Sequence, residues 1–250
     1  MVFRFFPRRQ AAPPQSEVPH GRRIYAIGDI HGRLDLLEQL LADIEADDSR
    51  RGAAQTQIIF LGDLIDRGPA SAQVLESARQ AATQRDCRFL LGNHEEVFLQ
   101  VLTGDLKALT FFTRIGGRET ILSYGISAEE YRDADYPELL ALVQARVPPE
   151  HIAFLTQFED LIIIGDYAFV HAGVRPDRDL ASQKTGDLRW IRREFLDYRG
   201  VLEKVIVHGH TVVGDVEQLP HRISLDTGAF ASGKLTAMGF EGAARWLLQT

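Results

Sequence analysis

The stretch RRIYAIGDIHGRLDLLEQLLADIEAD, residues 22–47, sets the fold. It opens with a short apolar run that closes on Gly28 and Asp29, and its leucines at 34, 37, 40 and 41 then fall on one helical face. The same pattern recurs twice: QTQIIFLGD (55–63) leads to SAQVLESARQAA (71–82), and CRFLLGN (87–93) leads to HEEVFLQVL (94–102). Three strand-then-helix units in succession predict an α/β sheet with substantial parallel pairing. Each of the three strands ends in Gly-Asp or Gly-Asn. In open α/β sheets functional groups collect beyond the carboxyl ends of the strands, where glycine lets the backbone turn sharply and approach a ligand.

Outward from this core, residues 97–160 read mainly as helices and loops, punctuated by Gly116-Gly117 and Pro148-Pro149, and are expected to roof a cleft. LIIIGDYAFVHAG (161–173) predicts two strands joined at a Gly-Asp turn. KVIVHGH, RISLDTG, KLTAMGF and ARWLLQ follow as short strand-like runs. The second half is therefore richer in antiparallel pairing, which a mixed sheet or two stacked sheets accommodate. No internal repeat or linker divides residues 22–250, which are expected to form one domain. Residues 1–21 are expected to be a flexible leader, because their prolines and polar residues cannot build a packed element. Phe3, Phe5 and Phe6, interrupted by Arg4, are too few for a signal-peptide core or a membrane span. A weak peripheral anchor through these phenylalanines and Arg8 and Arg9 is the alternative.

Composition is ordinary for a globular protein: 250 residues, 45% hydrophobic and 25% charged. A net charge of −7 argues against general nucleic-acid binding, which relies on clustered lysine and arginine. The lone cysteine, Cys87, excludes an intramolecular disulfide and suits a reducing cytosol. A thiol-phosphatase nucleophile needs an arginine six positions later, where this chain has Asn93, so Cys87 reads as a small core residue.

Five polar clusters stand at strand ends: GDIHG (28–32), GDLIDRG (62–68), GNHE (92–95), VHAG (170–173) and VHGHT (207–211). Singly, each has an ordinary explanation in turn chemistry or a hydrogen-bonded histidine. Together they hold five of the eight histidines, three aspartates and an asparagine at one sheet edge. Hard oxygen donors mixed with imidazoles suit manganese, iron or zinc, which points to a dinuclear metal centre.

In this order the five motifs resemble those of the metallophosphoesterase superfamily, and within it the serine/threonine phosphoprotein phosphatases of the short bacterial and phage type. The resemblance covers residues 22–250. It implies an α/β fold of two mixed β-sheets stacked as a sandwich and flanked by helices. It also implies two divalent ions, manganese first, with iron or zinc as alternatives. Carried over motif by motif, Asp29 and His31 bind the first ion, Asp63 bridges both, and Asn93, His171 and His210 complete the second site. His94 is the implied general acid, oriented by Asp66. Arg67 and Arg192 are the implied phosphate clamps, with Asn93 also meeting substrate; Arg189 and Arg193 compete for the second clamp, and helical spacing puts Arg189 and Arg192 on one face. Glu95 and Glu96 read as outer or surface groups.

The activity so implied is hydrolysis of phosphate monoesters, first of all phosphoserine and phosphothreonine in proteins, by direct attack of a hydroxide generated between the two ions. A symmetrical diadenosine tetraphosphate hydrolase is the alternative, and an inactive phosphate-binding scaffold a third reading. The partner is then a phosphorylated protein or small phosphoester, with no nucleic acid and no membrane span, in a bacterial cytoplasm.

Two further motifs are set aside. D226-T-G228 is the short signature of aspartic proteases, but a single copy lacks its partner carboxylate. GAFASGK (228–234) nearly matches a phosphate-binding loop, yet Leu235 stands where a hydroxyl should hold magnesium, so a turn between strands is expected. His20, His151 and His221 read as surface or structural. In VHGHT, period-two spacing points His208 and His210 to the same strand face, and only the family pattern selects His210 as the ligand.

Overall fold

The computed structural model describes residues 16–250. The anchor reading of Phe3, Phe5, Phe6, Arg8 and Arg9 lies outside the described residues. Residues 16–21, expected in the leader, are docked instead: Val18 is buried in the apolar layer between the sheets, and its N–H donates to Gly242 O at 3.0 Å. Tyr167 Oη fixes the same segment by donating to Ser16 O at 2.9 Å.

Two five-stranded sheets stack face to face. The first has the order β10-β9-β1-β2-β3, built from β1 (Arg22–Ile27), β2 (Gln55–Phe60), β3 (Cys87–Phe89), β9 (Thr236–Glu241) and β10 (Ala244–Gln249). β1, β2 and β3 run parallel, and the hairpin β9–β10 joins β1 antiparallel. The second sheet has the order β4-β5-β6-β8-β7, from β4 (Ile162–Ile164), β5 (Tyr167–Phe169), β6 (Val205–His208), β7 (Glu217–Gln218) and β8 (Arg222–Ser224). There β5, β6 and β8 are parallel, with β4 and β7 as antiparallel edges.

Alternation of side chains along the strands builds the layers. Ile24 and Ala26 enter the layer between the sheets, together with Ile59, Phe169, Val207 and Phe240. Tyr25 and Ile27 face the other way, under α1 (Leu34–Arg50) and α2 (Ser71–Gln84). The outer face of the second sheet, with Ala168 and Ile206, is covered by Leu188 from α9 (Thr185–Trp190), Phe195 from α10 (Arg193–Leu196) and Ile191 between them. The expected roof is helical throughout: α3 (Asn93–Leu102), α4 (Leu106–Ile115), α5 (Gly117–Ser123), α6 (Ala128–Asp133), α7 (Tyr136–Arg146) and α8 (Pro149–Leu155).

Local differences have plain causes. The segment after Gly228 holds a short helix, α11 (Ala229–Ser232), within the expected turn. Cys87, at the start of an edge strand, is half-buried rather than core, and burial pushes its thiol up to about 11. His151 is structural, with its Nδ1 2.9 Å from Tyr124 Oη. Among the described residues no helix is long and apolar enough to cross a membrane.

Candidate metal centre

All five motif clusters follow the carboxyl ends of parallel strands: three after β1, β2 and β3, and two after β5 and β6. The two sheets bring these ends to one edge, where Asp29, His31, Asp63, Asp66, Asn93, His94, His171 and His210 are all buried.

Backbone strain marks the same place. Among the described residues, positive φ outside glycine occurs at His31, Asp63, Asp66, Arg67 and His210. Each such residue costs about 1–3 kcal/mol and persists only where its surroundings over-determine it. One source of that constraint is Glu95. Its carboxylate accepts the backbone N–H groups of Asp63 at 2.9 Å, Leu64 at 2.7 Å, Ile65 at 3.2 Å and Gly92 at 3.0 Å. Burial and Asp63 push the Glu95 carboxyl up to about 8, while the four N–H donors favour the anion. Of the two sequence readings of Glu95, a group behind the ligands or one at the surface, the structure favours the first: it is the buried post around which the Asp63 loop is wound.

Glycine is required by close approach as well as by turning. A Cβ on Gly92 would lie 2.2 Å from Asp63 Oδ1, and one on Gly209 would lie 2.0 Å from Asp29 Oδ1. The glycine between the two histidines of VHGHT thus admits the Asp29 carboxylate, whose two oxygens accept the His210 N–H at 3.1 and 3.0 Å.

Asp63 stands at the middle of the cluster. Its Oδ2 lies 3.7 Å from His31 Nε2 and 3.8 Å from His94 Nε2, and its Oδ1 lies 3.4 Å from His171 Nε2. Each carboxylate oxygen therefore addresses a different set of imidazoles. Potential donor atoms of His31, Asp63 and His94, and of Asp63, His171 and His210, lie within 4.8 Å of one another in each group. Burial raises the Asp63 carboxyl, but the surrounding imidazoles of His171, His94 and His31 outweigh it and hold the group below the usual carboxylate range.

The donors fit divalent ions. His171 Nδ1 is 2.8 Å from Leu61 O and takes the proton, which leaves a lone pair on Nε2 facing Asn93 Oδ1 at 3.0 Å. His210 Nδ1 meets the same oxygen at 2.8 Å. Buried imidazole nitrogens gathered with the Asp63 carboxylate and the Asn93 amide oxygen suit a divalent cation. Burial lowers His31 to about 3 and His210 to about 2, keeping both imidazoles neutral and able to ligate. His31 repeats the arrangement, with Nδ1 2.8 Å from Ile65 O. The positive charge its Nε2 meets is the Arg67 guanidinium, at 2.8 Å, whose second nitrogen lies 3.1 Å from His94 Nε2.

Asp29 sits beside this centre. Burial, Asp226 and Asp63 together raise its carboxyl well above the ordinary range. Asp226, set aside in the sequence with the protease signature, is buried here; burial and then Asp63 raise it to about 6, and its Oδ2 has no hydrogen-bond partner among the described residues. Three buried carboxylates crowding together again favour a bound cation. The signal for Asp226 in the sequence was its place after a strand-like run, at the end of β8.

His94 Nδ1 lies 2.5 Å from Asp66 Oδ2, and Asp66 is held in turn by Thr120 Oγ1, which donates to Oδ1 at 2.6 Å. Burial works against charging His94, yet Asp63 and Asp66 outweigh it and raise its pKa. Thr120 comes from the roof, 54 positions from Asp66, and no local pattern announced it.

The three arginines in dispute separate. Arg189 is forked between Asp160 at 2.6 Å and Glu96 at 2.9 Å. Arg192 is exposed, and its charge adds to burial in depressing His171 and His210. The helix ends at Trp190 and Arg192 is non-helical (φ −132°, ψ −98°), so Arg189 and Arg192 do not share a helical face as expected. Arg193 is exposed.

His208 and His210 also part. β6 ends at His208, so the strand alternation that put both rings on one face stops there. His210, at φ +64°, turns to Asn93, while His208 packs edge-on against Phe195 at 5.0 Å.

The sequence profile described as Calcineurin-like phosphoesterase matches residues 22–235. A bis(5'-nucleosyl)-tetraphosphatase PrpE [asymmetrical] of Anoxybacillus flavithermus (strain DSM 21510 / WK1) is 27% identical over 235 residues, covering 86% of this chain and 89% of the relative. A protein of the same description from Bacillus mycoides is 28% identical over the same shares. Among solved structures, one assigned as a diadenosine tetraphosphatase superposes with a TM-score of 0.64 at 21% identity, over 94% of this chain and 98% of that one. A cold-active protein-tyrosine phosphatase of a Shewanella species gives 0.56 at 20%, over 93% and 83%. At these identities the structures speak for the fold.

Proposed function

The chain belongs to the calcineurin-like phosphoesterase family, and on that premise we propose that it is a two-metal hydrolase of dinucleoside tetraphosphates. The observation that carries the metal-dependent part is Asp63, whose two oxygens face separate imidazole sets. Asp29, His31 and Asp63 are the proposed ligands of one ion, and Asp63, Asn93, His171 and His210 those of the other. Divalent ions there, manganese first, supply Lewis-acid activation of water and of the phosphoryl oxygens.

The chain's own residues supply the rest. The Arg67 fork, aimed at two imidazole nitrogens, suits two phosphoryl oxygens, and Arg192 approaches from the second sheet. Asn93, at the start of α3, offers its amide to the same group. His94, whose protonation Asp63 and Asp66 favour against the cost of burial, donates a proton to the departing oxygen.

The substrate reading is supported by the curated relatives, which span most of this chain. Their names favour asymmetrical cleavage, to nucleoside mono- and triphosphate, over the symmetrical cleavage that stood as the alternative to the phosphoprotein reading of the motifs. The second reading, phosphoserine and phosphothreonine hydrolysis, is favoured by the His94–Asp66 pair: an alkoxide leaving group needs protonation far more than a phosphate oxygen does. Side-by-side kcat/KM values for diadenosine tetraphosphate and a phosphoserine peptide, with manganese, test the choice. A dinucleotide preference with mono- and triphosphate products supports the first reading; a peptide preference replaces it with the second.

A further inference from the structure

We propose that Phe111 and Trp190 form a platform for a nucleobase of the substrate, with Arg114 beside it to meet the polyphosphate chain. This rests on the dinucleotide reading and names how that substrate is held.

The two rings come from separate parts of the fold. Phe111 lies on α4 of the roof and Trp190 at the end of α9 against the second sheet, with ring centroids 6.1 Å apart and planes tilted by 40°. Both are large apolar groups left open, at 42% and 36% exposure. Trp190 is nevertheless fixed: its indole N–H donates to Glu96 Oε2, while Arg189 grips the other oxygen of the same carboxylate. Glu96 lies three residues beyond Asn93 in the first turn of α3, and Arg192 lies two residues beyond Trp190. The platform is therefore tied by covalent and hydrogen-bonded links to both sides of the proposed metal centre.

Its charge pattern suits a nucleotide rather than an apolar partner. Arg114, exposed in the last turn of α4, shares the Phe111 face at i+3 and has no carboxylate partner among the described residues. Two residues further, Gly116 O accepts the Arg67 N–H at 3.0 Å. Along the sequence of α4 the aromatic ring of Phe111, the guanidinium of Arg114 and the Gly116 carbonyl that holds the Arg67 backbone follow in that order, which puts a cation between the rings and the loop that carries Arg67. The third exposed ring at the site, Phe230, is already engaged: the Arg67 guanidinium carbon sits 4.7 Å from its centroid and the His31 ring 5.4 Å away. It reads as a support for Arg67.

The test compares equilibrium binding of ATP and inorganic tripolyphosphate to the manganese-loaded chain, alongside diadenosine tetraphosphate turnover. Base–aromatic stacking predicts that ATP binds about ten- to a hundredfold tighter than tripolyphosphate. Phe111→Ala, which breaks no hydrogen bond, should collapse most of that ratio, and Trp190→Phe should retain more of it than Trp190→Ala. Quenching of protein fluorescence by ATP should be weaker in Trp190→Phe. An equal affinity for the two ligands, or a ratio that survives Phe111→Ala and Trp190→Ala, overturns the platform. A chain that leaves the dinucleotide intact yet keeps a Phe111-dependent ATP preference supports the platform and overturns the proposed function alone.

Discussion

His94 Nδ1 and Asp66 Oδ2 are 2.5 Å apart in a buried pocket, and Thr120 Oγ1 pins the other Asp66 oxygen at 2.6 Å. This couples the roof to the charge state of His94. A histidine raised above its ordinary value stays protonated to higher pH, so an acid role is kept below the raised pKa and lost as pH climbs through it. Asp66→Asn should therefore move the alkaline limb of kcat towards lower pH, as a pH–rate profile will read. His94→Asn should slow alkyl phosphates by about 10²–10⁴-fold and aryl phosphates much less, with metal content retained. Equal losses on both substrates would remove His94 from the acid role.

Arg67→Ala should raise KM and lower kcat/KM by about 10²-fold or more, and Arg192→Ala should act in the same direction. Arg193→Ala, outside the clamp, should change kcat/KM by less than either. Steady-state kinetics on p-nitrophenyl phosphate ranks the three, and a dominant Arg193 effect would reassign the second clamp.

Glu95→Gln should destabilise the fold by about 1–3 kcal/mol, because one face of the amide turns donors towards backbone N–H groups. Thermal unfolding and calorimetric metal titration should fall together. A stable variant with unchanged metal affinity would show that the Asp63 loop does not depend on that carboxylate.

The layered fold and the edge where function gathers were legible because strand-then-helix periodicity and Gly-Asp ends are local signals. Asp29, His31, Asp63, Asn93, His171 and His210 could be selected from motifs, and the structure brings them to one edge. What local pattern could not carry was contact across long separations. Thr120 reaches Asp66 over 54 residues, and Asp226, beyond β8 of the second sheet, lies close enough to raise the carboxyl of Asp29, which follows β1 of the first. Orientation was the other loss: alternation put His208 and His210 on one face, but the strand ends between them. Val18 looked like leader because a single apolar residue among prolines has no period, yet it fills the layer between the sheets.

His210→Ala should weaken one metal site, while His208→Ala should keep both and lose about 1–3 kcal/mol of stability with its packing against Phe195. Metal titration and thermal unfolding on the two variants separate the roles. Equal metal loss in both would make His208 part of the centre.

On the proposed function, the Asp63 carboxylate joins two metal sites and hydrolysis depends on both. Elemental analysis of manganese-loaded chain, with p-nitrophenyl phosphate hydrolysis measured on the same samples, tests it most directly. The manganese-loaded chain should hold two ions and be active, and Asp63→Asn should lose metal and activity together. Two bound ions and full activity in Asp63→Asn would contradict it.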